Sequence, residues 1–194
     1  MELVKDYLTP NDYSRPLRPL REVLGVVMHW TANAGASAKA NRDYFERRKA
    51  GTLGYGSAHY IIDQSGKVIE CIPEDEVAYH VGTDKPDPKS GKVYTDKARE
   101  MFGAFASENN SPNNCTIGVE LCNTDDEGHF TTQTIESAVE LVADICKRHG
   151  LSARSITTHN EVVGWKDCPR LWVNKPELLD SFRVDVALKM TKGE

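Results

Sequence analysis

Hydrophobic residues recur along this chain with two spacings, one typical of buried strands and one typical of amphipathic helices. Five short, β-branched apolar runs each predict a strand, at 24–29, 58–63, 67–72, 116–123 and 154–159. Gln-Ser-Gly separates the second run from the third and predicts a compact hairpin between them. A further short segment over 76–82 continues from that hairpin.

Three other segments have the apolar spacing of helices. The clearest is 132–150, whose apolar side chains form one stripe and whose last turn is basic before a glycine. Ser37 is the predicted N-cap of a helix over 38–50, and a closing helix is predicted over 176–190. Strands and helices that alternate loosely, with one hairpin, predict an α/β fold: a single domain with a central mixed β-sheet flanked by helices on both faces.

Two stretches have no sustained periodicity. Residues 1–22 hold three of the nine prolines and predict an extended arm packed on the domain, which itself is expected over 23–190. No second module is visible after residue 190. Residues 83–114 are rich in turn-forming types and predict a long loop with a short helix near 97–105. Loops of this length in compact domains are usually functional or mobile.

Composition narrows the function class. A net charge of -5 over 194 residues argues against a nucleic-acid binder. No apolar run approaches the roughly 20 residues that a membrane span needs. The N-terminus lacks the apolar stretch of a signal peptide, so we expect synthesis in the cytoplasm without a signal peptide. We also expect a monomer. Five cysteines, an odd number, make a full disulfide framework unexpected.

Three potential metal ligands stand at predicted strand ends or in the loop that follows. His29 ends the first strand, His159 ends the last, and Cys168 comes nine residues later. Catalytic zinc sites hold three protein ligands and a water, and a Cys/His/His set fits that pattern. The long separation in sequence between His29 and His159 makes this pattern only weakly specific for a metal site. The residue types fit equally well two strand-end histidines and a buried thiol that serve the structure alone.

Glu120 stands inside the apolar run Ile-Gly-Val-Glu-Leu. An unpaired charge there would be unfavourable, so a strand-interior glutamate needs a partner, and a zinc site provides one. The alternative is a solvent-facing residue on the strand.

Five segments carry a resemblance to a known family: VVMHWTAN, GSAHYIID, EVAYHVG, NNCTIGVELCN and HNEVVGWKDCPR. They occur in the order found in type 2 N-acetylmuramoyl-L-alanine amidases, a superfamily that includes phage endolysins, bacterial autolysins and peptidoglycan recognition proteins. The match covers roughly residues 20 to 175 and resembles most the endolysin and prophage amidases of Gram-positive bacteria. It implies zinc-dependent cleavage of the amide bond between N-acetylmuramic acid and L-alanine in bacterial peptidoglycan, with action on the wall after release.

The resemblance also implies roles for single residues. His29, His159 and Cys168 would bind Zn²⁺. Glu120 would take a proton from the attacking water and return it to the leaving amine. Lys166 would steady negative charge on the tetrahedral intermediate, with the alternative that it is an ordinary surface lysine.

Four residues are candidates for substrate binding. His80 lies in the segment that lines the stem-peptide groove in relatives. Trp30 and Asn33 follow the first ligand and are candidates for the groove wall, although Trp30 fits a core position as well. His59 is a candidate for substrate contact or site support, and equally for a structural histidine.

One position departs from part of the family. Some relatives carry a tyrosine directly before the histidine that matches His59, whereas this chain has Ala58 there. Strand alternation sends Tyr60 to the face opposite His59, so its hydroxyl cannot replace the missing one. The acid–base chemistry is therefore expected to rest on Glu120.

Two other functions stay open at this point. One is a module that binds peptidoglycan without cleaving it, although family members of that kind typically lack the cysteine ligand. The other is a cysteine hydrolase that uses Cys168 and His159. Cys168 lies between Asp167 and Pro169, with no helix N-terminus to activate it.

Overall fold

A single sheet lies at the centre of the protein, in a computed structural model whose described residues are 1–191. Its strands are β1 (Leu3–Lys5), β2 (Gly25–Trp30), β3 (Tyr60–Ile62), β4 (Val68–Glu70), β5 (Thr116–Leu121) and β6 (Ile156–Thr158). Their order across the sheet is β1-β4-β3-β5-β2-β6. Only β3 and β4 pair antiparallel, as the predicted hairpin, and the other neighbours are parallel. The prediction of a mixed sheet is confirmed.

Helices cover both faces of this sheet. They are α1 (Ala38–Arg47), α2 (Asp96–Phe102), α3 (Thr132–Arg148), α4 (His159–Val163), α5 (Arg170–Asn174) and α6 (Pro176–Thr191). Helices α3 and α6 pack together on one face, whereas α1, α2 and α4 lie on the other. Within residues 1–191 no helix has both the length and the apolar character that crossing a membrane requires.

The central strand β2 shows how the sequence positions the site. Val26 and Met28 point into the large apolar cluster under α3 and α6. Val27 alternates to the opposite face and packs with Tyr94 and Phe102. His29 follows on that same second face, at the end of the strand. Burial on both faces explains why this strand reads as a continuous apolar run.

Several elements differ from the sequence expectations. The arm begins with β1, which extends the sheet edge by pairing with β4. All its residues are exposed, so no apolar pattern announced it. Segment 76–82 is not a strand and contributes only a bridge between Glu76 and Pro19. His159 does not end the last strand. It opens α4, directly after β6.

The cysteines are all buried and free, so they form no disulfide framework. Burial raises the pKa of Cys115 and Cys122 to about 12, and that of Cys146 to about 11. These thiols are therefore neutral and act as small apolar side chains in the clusters that hold them.

Glu74 ties the segment after the hairpin to the end of α3. Its carboxylate accepts hydrogen bonds from Arg148 Nη2 at 2.6 Å, from the Tyr60 hydroxyl at 2.7 Å, and from His149 Nε2 at 2.7 Å. Burial opposes ionisation of Glu74, but the hydrogen bonds from Arg148, Tyr60 and His149 outweigh it and lower the pKa to about 2.

This clamp predicts an acid-dependent loss of stability. The folded pKa of Glu74 lies below its ordinary value of 4.5, so its contribution is fully present above about pH 5 and is lost as the pH falls toward 2. Glu74→Gln should lower the free energy of unfolding by on the order of 2 kcal/mol at pH 7, and by progressively less below pH 4. Urea unfolding at pH 7 and pH 3 measures both. Exposed Glu136, replaced in the same way, should change stability by less than about 0.5 kcal/mol. If Glu74→Gln lowered the free energy of unfolding equally at both pH values, the ionised Glu74 carboxylate would not be the source of this stability.

Candidate metal centre and active site

His29, His159 and Cys168 converge at one edge of the sheet. His29 lies near the end of β2 and His159 directly follows β6, and these two strands are parallel neighbours. Nδ1 of His29 lies 3.0 Å from Nδ1 of His159 and 3.7 Å from Sγ of Cys168. One donor atom from each residue falls within 4.8 Å of the other two. The structure thus brings together the three ligands predicted from the sequence.

The turn after α4 places Cys168 beside His159. Thr158 caps α4 by accepting from the Glu161 backbone N–H, and Gly164 ends the helix with a left-handed φ of 80°. Asn160 then holds the returning chain. Its backbone N–H donates to the Cys168 carbonyl at 3.0 Å, and its side chain donates to the Lys166 carbonyl at 2.9 Å. Sequence reasoning missed Asn160, whose only signal was a polar side chain next to a candidate ligand.

The donor set fits a zinc ion. Burial lowers the pKa of His29 and of His159 well below the usual range, so both rings are neutral and each keeps a nitrogen lone pair. Nitrogen and sulfur ligands around a tetrahedral zinc are separated by roughly 3.3 to 3.6 Å, and the observed separations of 3.0 and 3.7 Å bracket that range. Burial raises the pKa of the Cys168 thiol to about 12, so a bound cation is needed to hold it as a thiolate.

Glu120 stands next to the ligands on the neighbouring strand. It is paired in register with His29 across β5 and β2, so both side chains project from the same face. Its Oε2 is buried and has no hydrogen-bond partner among residues 1–191. Burial raises the pKa of Glu120 to about 8, and the positive charge of Lys166 partly opposes that shift. A carboxyl group with this pKa can exchange a proton near neutral pH.

Lys166 is exposed in the turn between α4 and Cys168. Its charge contributes to the lowered pKa of both His29 and His159, which places it within electrostatic reach of the ligands. It also borders the same cavity as Glu120.

An open cavity of about 540 Å³ lies over these residues. Glu120, His159, Lys166 and Cys168 are among the residues that line it. Its wall also contains aromatic and polar residues from other segments, among them Trp30, Asn41, Tyr44, Arg48, Tyr55 and Tyr79. Tyr55 is 67% exposed at the rim. The tyrosines and Arg48 escaped sequence analysis because they come from three separate segments with no shared motif.

Two predicted wall residues differ in position. Trp30 borders the cavity, with the Arg170 guanidinium 5.1 Å from its ring centroid. Asn33 is exposed and stands outside the cavity lining. Its amide donates to Asn41 Oδ1 at 3.3 Å, so Asn33 reaches the wall only through Asn41.

For His59 the structure favours the structural role over substrate contact, the two alternatives that the sequence left open. His59 is 0% exposed, and both ring nitrogens are engaged inside the protein. Nε2 donates to the Glu76 carbonyl at 2.9 Å, and Nδ1 accepts from the Gly118 backbone N–H at 2.9 Å. Burial lowers its pKa to about 4. His59 is therefore a neutral structural histidine that joins segment 76–82 to β5.

Tyr60 and His80 complete the sequence-predicted set. Tyr60 points to the opposite face, where its ring packs in the α3 cluster and its hydroxyl donates to Glu74, as strand alternation predicted. His80 borders the cavity but is only 8% exposed, and its Nδ1 lies 3.0 Å from Nε2 of His29.

Comparison with known proteins places this geometry in a family. The model of the N-acetylmuramoyl-L-alanine amidase family matches residues 19–171, a span that contains all the residues of the site. The chain is 38% identical over 192 residues to the N-acetylmuramoyl-L-alanine amidase CwlL of Bacillus licheniformis, which covers 96% of this chain and 47% of CwlL. It therefore spans about half the length of the curated relatives it matches.

Solved structures agree on the fold. The catalytic domain of XlyA superposes with a TM-score of 0.68 at 21% identity and covers 96% of this chain and 99% of that domain. The PlyG catalytic domain gives a TM-score of 0.70 at 19% identity, with 98% and 96% covered. At these identities the structural likeness shows the fold alone, whereas the family match over residues 19–171 shows the family. This chain belongs to the N-acetylmuramoyl-L-alanine amidase family.

Proposed function

We propose that this protein is a zinc-dependent amidase that hydrolyses the bond between N-acetylmuramic acid and the L-alanine of the stem peptide in bacterial peptidoglycan. Family membership supports the reaction class. The single observation that carries the zinc mechanism is the convergence of three donor atoms within 4.8 Å of one another, two of them from residues, His159 and Cys168, that line an open cavity.

His29, His159 and Cys168 would hold the zinc ion, which would supply a Lewis acid for the amide carbonyl and lower the pKa of water. Glu120 takes a proton from the attacking water on its unpartnered oxygen. Lys166 donates to the oxygen that becomes negative as water adds to the carbonyl carbon. Glu120 then delivers the proton to nitrogen as the C–N bond breaks, which leaves a lactyl carboxylic acid and a free L-alanine amine.

A thiol nucleophile is a poorer explanation of the same residues. Cys168 is 3% exposed, and its burial, together with the nearby charge of Glu120, raises its pKa to about 12. A nucleophilic cysteine needs the opposite environment, which lowers the thiol pKa. A module that only binds peptidoglycan is disfavoured too, because binding alone requires neither Cys168 nor a buried glutamate beside it.

We also propose that residues 23–190 form the catalytic unit, with the 1–22 arm packed against it, and that the protein acts on the wall after release from the cell that makes it. The net charge of -5 gives no general attraction to polyanionic wall polymers, so substrate recognition rests on the cavity.

Digestion of purified sacculi tests this function. We expect stem peptides with a free L-alanine amino terminus and glycan strands that retain the lactyl carboxylate, both identified by mass spectrometry. A chelator should abolish release, and added Zn²⁺ should restore it. New reducing sugar ends, binding without release, or activity that survives complete metal removal would each reject the proposal.

A further inference from the structure

The two ring nitrogens of His29 face different partners. Nδ1 points toward His159 Nδ1 and Cys168 Sγ, at 3.0 and 3.7 Å. Nε2 points the other way, toward Nδ1 of His80 at 3.0 Å. The His29 and His80 rings meet edge to face, with an interplanar angle of 90°. One nitrogen of His29 is therefore free for a cation only if the other carries the ring proton.

Thr116 decides where the proton of His80 lies. The Thr116 hydroxyl donates its hydrogen to the Pro112 carbonyl at 2.7 Å. His80 Nε2 lies 3.2 Å from that hydroxyl oxygen and 3.4 Å from the Thr116 carbonyl. Both oxygens can only accept from the ring, so His80 Nε2 carries the hydrogen. In a neutral imidazole Nδ1 of His80 is then an acceptor, which receives the Nε2 hydrogen of His29.

Contacts with Asn113 and Gly118 hold the His80 ring in this orientation. The His80 backbone N–H donates to Asn113 Oδ1 at 3.0 Å. The ring also lies against Gly118 of β5, where an added Cβ would stand 2.5 Å from Cγ of His80. Only glycine leaves room for the ring at this position. Backbone anchoring and this clearance explain how an irregular segment can fix a ring direction.

We propose that His80 is a positioning residue of the metal centre. Through Thr116 and His80 the protein fixes the tautomer of His29, so that its Nδ1 lone pair points at His159 and Cys168 before any cation arrives. Outer partners of this kind orient metal-bound histidines and strengthen binding. The inference rests on the proposed zinc site, and it gives His80 a role different from the stem-peptide contact expected from the sequence.

Two variants of His80, one apolar and one polar, separate these roles. His80→Leu keeps most of the volume but removes the acceptor, whereas His80→Asn keeps an oxygen near the place of Nδ1. Zinc affinity is measured by competition with a chromogenic chelator, on protein shown to be folded by circular dichroism. We expect His80→Leu to weaken zinc binding about 10- to 100-fold and His80→Asn to stay within about threefold of the parent. The exposed His129→Ala serves as the matched control and should bind zinc like the parent.

The Co²⁺-loaded proteins give a second readout, since a reoriented His29 should change the visible absorption of His80→Leu but not of His129→Ala. If His80→Leu does not fold, His80→Gln replaces it, because its amide reaches Thr116 but leaves His29 without an acceptor. Unchanged zinc affinity in His80→Leu, or in His80→Gln where it takes the place of His80→Leu, overturns the inference and leaves the proposed function intact, whether or not the KM rises. A parent protein that takes up no zinc rejects the proposed function itself.

Discussion

Replacing Cys168 with alanine is expected to abolish zinc binding and peptidoglycan hydrolysis together. Cys168 supplies the sulfur donor, 3.7 Å from His29 Nδ1, and it is the one ligand that becomes anionic when a cation binds. Removal of an outer partner of a metal ligand lowers affinity about 10- to 100-fold, so loss of a direct ligand should exceed about 100-fold. Metal content by mass spectrometry and muropeptide release are measured on the same sample. His159→Ala should give the same result.

Thermal unfolding adds a readout that does not depend on catalysis. A ligand that binds only the folded state raises its stability in proportion to the logarithm of the ligand concentration over the dissociation constant. Zinc should therefore raise the melting temperature of the parent but not of Cys168→Ala. Cys146→Ala is the matched control, because Cys146 is equally buried but lies in α3. A Cys168→Ala protein that still binds zinc and cleaves peptidoglycan would refute the ligand assignment.

Sequence patterns predicted the elements whose buried faces impose a regular spacing on their hydrophobic residues. Strands β2 and β5 are buried on both faces, and α3 buries one stripe, so their hydrophobic residues follow the expected periods. The edge strand β1 is exposed at every residue and is held by backbone pairing with β4, which requires no particular side chains. Helices α4 and α5 have five residues each, fewer than two turns, so no period could reveal them.

The same reasoning explains which site residues the sequence could specify. His29 and Glu120 lie on regular strands, where alternation and register determine the face that a side chain occupies. His80 lies in an irregular segment, so its ring direction depends on Asn113 and Gly118, contacts that no local spacing encodes. His59 illustrates the limit of residue type, since a histidine beside the site can have both nitrogens committed to the backbone.

Glu120→Gln is expected to keep zinc but lose most turnover. The amide preserves the size of the side chain but cannot accept a proton from water or return one to the leaving nitrogen. General acid–base groups typically contribute about 100- to 10,000-fold to the rate, so kcat should fall by that amount. The KM for muropeptide should change little, because the amide fills the same place in the cavity lining as the carboxyl group.

Zinc affinity measured on Glu120→Gln distinguishes a base from a fourth ligand. Burial raises the pKa of Glu120 to about 8, so without a cation its carboxyl group is mostly neutral at pH 7, and a neutral amide of the same size should not weaken the fold. Glu127→Gln, at an exposed position in the loop between β5 and α3, is the control and should retain full activity. Loss of zinc from Glu120→Gln would make Glu120 a ligand, and near-parental kcat would assign proton transfer to another group. Retained zinc with a slow kcat fits a carboxylate that serves as the base and whose Oε2 has no hydrogen-bond partner among residues 1–191.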